Sequence, residues 1–439
     1  MFIFIREKET ERNPDNMKGR KLLEARFAVF SGIYPDFYGW QYYYFAFFLI
    51  VIHPGLYTYY LYAYGKSFYY GMVYADIELV GQVLCLGTIT VIYCIVSIYY
   101  IARKTDMDDL ITMVGKGFIN YNRGVTEQEQ SIIDEMEKVT HRYAFGSTVM
   151  LTTISLVHMG LLPVIRGLKG QFTSVTNETA PINKYTPLPV WMPYDCNSVG
   201  IFIFTFIFQM VPGCMEYAII NACCILYVGL AQQLSGNLKI LANSIRDIHT
   251  RALIMFDNEG GTVSKNTSEL YANAHFLKCM NACLNENMEH HVKLIEFFNK
   301  FQGVAGFSML AIFSGTGLII STAAYSLLLI AQTGGDKELL ITNIFVWTFY
   351  LLVYTFLLMV YCYYGQEVTD KNDEILPALY ETPWLEADLP FRRSVLISMS
   401  YCQRSMQLSA MGLIYSSYAT VLDIIKTAFS YLNMLMAVQ

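Results

Sequence analysis

Apolar positions in this chain gather into long uncharged runs, separated by charged stretches with a helical period. Phe37–Tyr64, Leu79–Ala102, Tyr143–Ile165 and Cys196–Met215 each supply about the 20 residues that cross a bilayer as a helix. The fourth run continues past Glu216 to Leu238, which predicts a helix that leaves the membrane, with Glu216 marking the inner interface. Phe301–Gly335 and Leu339–Gln366 follow, and a seventh run starts near Phe391, interrupted by Arg404, Asp423 and Lys426. The pattern predicts an all-α membrane protein with seven transmembrane helices.

Two long connecting segments, Arg103–Arg142 and Lys239–Lys300, are amphipathic with a helical period. In the second, Leu270, Phe276, Leu277, Met280, Leu284, Met288, Val292 and Ile295 make a broad apolar face, which predicts a helical anchor bundle outside the membrane. Asp257–Ser268, rich in Gly, Asn, Ser and Thr, reads as a loop. Arg166–Asp195 carries Pro181, Pro187, Pro189 and Pro193, with Trp191 and Tyr194 at the membrane edge, and reads as a compact outer lid. The expected organisation is an N-terminal segment 1–36, spans one to four over 37–238 with the lid at 166–195, and the anchor at 239–300. Spans five and six with their cytoplasmic loop then cover 301–390, and the last span 391–439.

The last span carries a polar stripe. Ser405, Ser409, Gly412, Ser416, Thr420, Asp423, Thr427 and Ser430 recur at steps of three or four, the spacing of one helix face. The opposite face reads Ile414, Tyr418, Val421, Leu422, Ile425, Phe429 and Leu432. Small polar residues on a membrane helix either admit a close neighbour or line water. Beyond Ser430 the stripe turns apolar at Met434 and Val438, as a dewetting constriction would. Asp423 either contributes to a ring of carboxylates in a symmetric assembly or is neutralised by Lys426 three residues on.

Composition agrees with the pattern: 54% of residues are hydrophobic and only 15% charged, against roughly a quarter in soluble domains. Met1–Ile5 is too short for a signal peptide and Arg6–Arg26 is highly charged, so the first span is expected to act as insertion signal. Of the 30 Lys and Arg, 23 fall before span one and in alternate connections thereafter, and five fall on the other side. That asymmetry predicts a cytoplasmic N-terminus and an extracellular C-terminus. The sequon at Asn177 then lies outside, where glycosylation takes place. Arg404 is expected to anchor the start of the last helix near the cytoplasmic leaflet. The ten cysteines lie almost entirely in spans or cytoplasmic segments and offer no disulfide framework.

Candidate chemistry is sparse. Nucleophile elbow, P-loop, zincin and dinucleotide motifs are absent, so an enzyme is not expected, and nothing calls for a cofactor or nucleic acid. His275, Cys279 and Cys283 sit at four-residue steps with zinc-type donors, yet the usual short ligand pairs are missing and no metal site is expected. The 34 Tyr and 28 Phe offer walls for a small apolar ligand. Thr152, Ser155 and Met159 on span three, with Phe206, Phe345, Thr348 and Phe349, are the pocket candidates.

Three pieces of the C-terminal part carry a resemblance: Tyr361-Cys-Tyr-Tyr-Gly-Gln-Glu-Val368, Ala378-Leu-Tyr-Glu-Thr-Pro-Trp384 and Thr420-Val-Leu-Asp-Ile-Ile-Lys-Thr-Ala-Phe-Ser-Tyr-Leu432. Together they resemble the insect odorant receptors, with a Gly–hydrophilic–Glu exit from span six, an Ala-x-Tyr-x-x-x-Trp loop and a final Lys-Thr-x-x-Ser-Tyr helix. The rest of the chain is similar to that family in layout and size. Thr427 is followed by Ala428-Phe429, unlike the Thr-Tyr ending of gustatory receptors, and Lys239–Lys300 is shorter than the matching segment of the odorant co-receptor.

The resemblance implies a subunit of a tetrameric odorant-gated, non-selective cation channel in the plasma membrane of sensory-neuron dendrites, assembled with the co-receptor or with itself. It implies a pore lined by the last helix, with Asp423, Thr427, Ser430, Met434, Ala437 and Val438 along the path and Met434 and Val438 at the gate. It also implies a pocket for a volatile ligand among spans two to six. Ala437 and Met436 stand where polar residues are often found, which leaves the ion preference open. The rivals are a gustatory receptor channel, a G-protein-coupled receptor and a transporter. A G-protein-coupled receptor would need its N-terminus outside and an Asp-Arg-Tyr motif closing span three, where His141-Arg142-Tyr143 instead opens it. A transporter would show internal repeats.

Overall fold

The computed structural model describes residues 53–74, 76–118, 121–161, 186–194, 198–261, 267–333 and 337–437, with 26–28, 31, 164 and 182 besides. Most of the N-terminal segment, the first part of the Phe37–Tyr64 run, Asn177 with most of the lid, and Val438 lie outside the described residues.

The helices are α1 (His53–Val73), α2 (Ile77–Ala102), α3 (Lys104–Lys116), α4 (Glu127–Ser155), α5 (Val199–Arg246), α6 (Ile248–Asn258) and α7 (Thr267–Tyr271). Then come α8 (Ala274–Thr333), α9 (Lys337–Asp373), α10 (Ile375–Glu381) and α11 (Leu389–Cys402), a hairpin of β1 (Ser409–Ala410) and β2 (Ile414–Tyr415), and α12 (Tyr418–Ala437). Local chemistry sets several starts. Asp76 caps α2 by accepting from the Leu79 amide, Ser198 caps α5 through Ile201, and Asp388 caps α11 through Phe391. Thr126 and Glu129 form a reciprocal capping box at the head of α4.

α8 is the axis of the fold. Its 60 residues measure about 90 Å at the usual helical rise, three times what a bilayer core needs. It packs against α2, α5, α9 and α12 and against α3, α6, α7 and α11. The expected boundary at residue 301 therefore falls inside one continuous helix, as the boundary at 238 falls inside α5. Four helices are long and apolar enough to cross a membrane among the described residues, over Leu79–Ala102, Val199–Arg246, Ala274–Leu329 and Ile344–Glu381. Tyr-rich α1, α4 with its charged first half, and α12 with Asp423 and Lys426 do not reach that apolar length.

The expected single helix from Ser405 onward is not formed. Met411 (φ 53°) and Gly412 (φ 75°) both take the left-handed conformation, so the chain turns back on itself. Ser409 pairs with Tyr415 and Ala410 with Ile414. Tertiary partners explain why the hairpin wins over the helical period. The Gln302 side chain on α8 accepts from the Ser409 amide at 2.9 Å and donates to the Ser409 carbonyl at 2.5 Å. Gly306 one turn on gives the hairpin room, since a Cβ there would stand 3.3 Å from that carbonyl. Ser405, Ser409, Gly412 and Ser416 thus leave the stripe, and the terminal helix begins at Tyr418.

The join between α9 and the hairpin is tight. Ser416 donates to the Tyr361 carbonyl at 2.7 Å, and its hydroxyl lies 3.3 Å from that of Tyr227, whose ring packs on Tyr361 with centroids 4.4 Å apart. Gly365 makes this possible: an added Cβ would meet the Ser416 Oγ at 2.2 Å, its Cβ at 2.4 Å and its carbonyl oxygen at 2.9 Å. Glu367, two residues on, accepts from Gln232 of α5 at 2.8 Å.

The anchor bundle has its own core of Ile248, Ala252, Phe256, Leu270, Phe276, Met280, Leu284, Phe391 and Val395. Beside it Arg251, 4% exposed, ion-pairs with Glu286, donates to Ser244 Oγ at 2.6 Å and to Asn287 Oδ1 at 2.7 Å, and lies 4.5 Å over the Tyr121 ring. That set neutralises a buried cation and saturates much of its donor fork. His290 Nδ1 lies 2.8 Å from the Tyr121 hydroxyl, and burial, helped by His291 and Lys293, pushes the imidazole down to about 3.

Two outcomes follow. Gly365→Ala should destabilise the protein by about 1–3 kcal/mol, because backbone as well as side-chain atoms of Ser416 must move; a lowered melting temperature in detergent checks it. His290 binds its proton in the unfolded chain near pH 6.5 but not in the folded one until about pH 3, so its contribution is complete above pH 6.5 and declines on acidification. Between pH 7 and pH 5 that amounts to about 2 kcal/mol lost, and His290→Gln should flatten the melting-temperature slope over this window.

Candidate ligand cavity and terminal helix

Among α2, α4, α5 and α9 the packing leaves an apolar void. Its walls are Leu86, Ile89 and Tyr93 from α2, Leu151 and Met159 from α4 and its continuation, Glu216, Tyr217 and Ile220 from α5, and Phe349, Tyr350, Val353 and Tyr354 from α9. The void is narrow, with about 20 Å³ open to the centre of a water molecule, which is room for little more than one such molecule. A larger guest therefore enters only when side chains move aside.

Local backbone irregularities place the movable walls. After Ser155, α4 continues as one wide turn over Leu156–Leu161, a π-type segment of the kind common at functional sites. Met159 lies in it. Opposite, α5 carries Pro212 inside the helix followed by Gly213, and a Cβ on Gly213 would stand 2.6 Å from the Met159 methyl. A flexible thioether thus fills the space vacated by a glycine.

The polar groups of the cavity are few. The Tyr93 and Tyr354 hydroxyls lie 3.3 Å apart, and those of Tyr217 and Tyr350 3.4 Å apart, so the four phenols serve one another. Glu216 is different. It is 9% exposed, accepts from Thr90 Oγ1 at 2.7 Å through Oε1, and has no cation beside it among the described residues. Thr90 lies midway along α2, so Glu216 sits deep in the bundle and not at the inner interface expected from sequence.

Two of the expected pocket residues, Met159 and Phe349, line the void. Thr152, Phe345 and Thr348 face outward, with Phe345 stacked on Phe349 at 6.1 Å. Ser155 is buried against Cys214, with its oxygen 3.7 Å from that sulfur, and Phe206 is half-buried away from the cavity. The aromatic runs on α5 and α9 are apolar on every face, so periodicity had no means of separating cavity from lipid. Glu216 did carry a signal: it is the single charge in the run from Cys196 to Leu238.

The described part of the segment 166–195 is non-helical and fastened to two helices. The Trp191 amide donates to Ser67 at 2.7 Å with Lys66 Nζ 3.8 Å over the Trp191 ring, and the Leu188 amide donates to Gln209 at 2.8 Å.

On α12, Val421, Ile424, Ile425, Ala428 and Leu432 form the packed or half-packed side, and the helix rests on α8 and α9. The other side holds Asp423, Thr427, Ser430, Met434 and Ala437, all exposed in the single chain, Met434 by 62%. Asp423, Thr427 and Ser430 of the expected stripe therefore share an exposed face, whereas Thr420 is buried, donating to the Tyr415 carbonyl at 2.6 Å, and the earlier members precede the helix. Lys426 lies 3.7 Å from Asp423, both largely solvent-facing, so the pair is loose and weakly neutralising. Phe429 and Leu422 of the expected apolar side are also exposed.

In the anchor bundle, Glu259, His275 and Cys279 bring donor atoms within 4.8 Å of one another; Cys283 does not join them. The Glu259 and His275 donors touch at 2.6 Å, closer than the ~3.3 Å between two ligands of a tetrahedral zinc. Their direct hydrogen bond accounts for the grouping.

The family model for 7tm odorant receptors matches residues 76–429. Odorant receptor 85c of Drosophila melanogaster is 22% identical over 381 residues, covering 85% of this chain and 86% of the relative, and odorant receptor 85f of the same species is 27% identical over 150 residues, 34% and 36% of the two chains. The insect olfactory receptor OR5 from Machilis hrabei, solved in complex with eugenol, superposes with a TM-score of 0.73 at 15% identity, covering 97% of this chain and 100% of that one. A second structure of that receptor gives 0.68 at 13% identity, covering 95% and 97%. The chain belongs to the insect odorant receptor family, a non-enzymatic family of multi-pass membrane receptor channels.

Proposed function

We propose that this protein is a ligand-tuned subunit of an odorant-gated, non-selective cation channel. Four subunits, either copies of this chain or a mixture with the odorant co-receptor, surround one pore lined by α12. The observation that carries the reading is the exposed face of α12, where Asp423, Thr427 and Ser430 give way to Met434 and Ala437. Hydroxyls and a carboxylate turned away from the subunit's own core need either a neighbouring subunit or water, and a fourfold arrangement supplies both. Met434, with Val438 beyond it, forms the gate. The charge asymmetry supports seven spans with a cytoplasmic N-terminus and an extracellular C-terminus, Asn177 being glycosylated outside. The anchor bundle of α5 to α8 and α11 then lies in the cytosol and holds subunits together. The cell site is the dendritic plasma membrane of a sensory neuron.

The ligand is a small volatile molecule held in the void lined by Met159, Glu216 and Phe349. A relative of the same fold binds eugenol, a ligand of that size class. The narrowness of the void implies that binding rearranges Met159 and Phe349, so a ligand favours whichever channel state offers the larger cavity. Opening is then a population shift: α9 forms one cavity wall and also packs on α12, a direct mechanical route from ligand to gate.

Co-expression with the co-receptor and whole-cell recording test this. Met434→Ala is expected to raise the basal current, since shortening the side chain wets the constriction. Cysteines placed at 423, 427 and 430 are expected to react with aqueous thiol reagents, with faster reaction in odorant. A Met434→Ala channel with unchanged currents, together with inert cysteines in both states, would remove α12 from the pore.

A further inference from the structure

We infer that Glu216 makes this receptor selective for small apolar amines, with the carboxyl holding the amine head and the surrounding rings holding its cationic charge. The inference rests on the proposed odorant-binding role of the cavity. Glu216 is the one ionisable acid among the residues that line it, and it lies at the middle of the bundle. Carboxyls at membrane depth are expensive, and they persist where a partner or a function compensates them. Here the compensation in the protein alone is a single hydrogen bond from Thr90 to Oε1, with no Lys, Arg or His at salt-bridge distance among the described residues. The four tyrosine hydroxyls on the lining are engaged in pairs with each other, so the Glu216 carboxyl is the lining group with acceptor capacity to offer a ligand.

Ligand chemistry follows from what such a group lacks. An ammonium brings up to three donors and a neutralising charge, whereas an alcohol brings one donor and no charge. Tyr93, Tyr217, Phe349, Tyr350 and Tyr354 also line the void. Aromatic faces around a carboxyl are the surroundings that recognise organic cations, each ring attracting the positive head through its quadrupole. The remaining wall is aliphatic, formed by Leu86, Ile89, Leu151, Met159, Ile220 and Val353, and takes the alkyl tail. An amine therefore satisfies both ends of the cavity, and a hydrocarbon of the same shape leaves the carboxyl without its second partner.

The test uses the full-length chain expressed with the co-receptor and three shape-matched probes, 3-methylbutylamine, 3-methylbutan-1-ol and 2-methylpentane. The wild-type channel is expected to respond to the amine at a concentration at least ten times below that for the alcohol, with the hydrocarbon weakest. Glu216→Gln, nearly isosteric, should raise the half-maximal concentration of the amine at least tenfold while leaving that of the alcohol within about threefold. Glu216→Asp keeps the carboxyl and should keep the amine first among the three probes, which separates recognition from general damage to the fold. Surface labelling confirms that each variant reaches the membrane. A wild-type ranking with alcohol or hydrocarbon first, or an unchanged ranking in Glu216→Gln, overturns the amine assignment and leaves the odorant-channel reading standing. Silence to all three probes and to a broad odorant panel, with the complex at the surface, overturns both.

Discussion

The structure depends on one constraint, that backbone polar groups removed from water must find partners within the protein. Helices meet it unaided; the hairpin between α11 and α12 does not. Its unsatisfied groups are met from outside, by Gln302 on α8 for Ser409 and by the contact of Ser416 with the Tyr361 carbonyl on α9. Gly306 and Gly365 allow the approach by omitting side chains at the two contact points. The terminal helix consequently starts at a position fixed by α8 and α9, and its orientation about its own axis is fixed with it. Which residues of α12 face outward is thus decided at Gln302 and Gly365, well before the helix begins.

The same joint connects the two places where function is expected. α9 carries Phe349, Tyr350, Val353 and Tyr354 on the cavity wall, and Tyr361 and Gly365 two and three turns further along. A displacement of the cavity wall is transmitted along a continuous helix to the residues that seat α12. The path is short and built of packed rings, Tyr350 on Tyr354 and Tyr361 on Tyr227. In the opposite direction α8 and α5 extend out of the bilayer-length region into the anchor bundle. There the buried Arg251 of α6 with Glu286, Ser244, Asn287 and Tyr121 forms a polar core whose partners come from two other helices, α5 and α8, and the segment before α4. Such a network is rigid because breaking any one partner leaves a buried charge uncompensated.

Much of the architecture was legible in sequence because membrane helices announce themselves through local composition. The run Leu79–Ala102 matches α2 almost to the residue, the fourth run does continue as one helix of 48 residues, longer than a bilayer core needs, and Asp257–Ser268 contains the break between α6 and α7. The three C-terminal motifs were sufficient to indicate the family. The cavity was only partly legible. Met159 and Phe349 were found, whereas Thr152, Phe345 and Thr348 face outward, and Glu216 was assigned to an interface. In an all-apolar helix nothing in the pattern distinguishes a side facing lipid from one facing a void, since both are lined by the same residues.

Sequence by itself determined the helical class, the helices longer than a bilayer core needs, the separate apolar face of the segment 239–300 and the polar stripe from Asp423 to Ser430. All of these follow from periodicity and length, which are local properties. Only the tertiary structure decided that Ser405 to Ser416 leave the helix, that Glu216 lines an aromatic cavity, and that His275 pairs with Glu259 instead of Cys283. Each of these is settled by a partner more than ten residues away, such as Gln302 for Ser409 or Thr90 for Glu216, and a helical period carries no information about that partner.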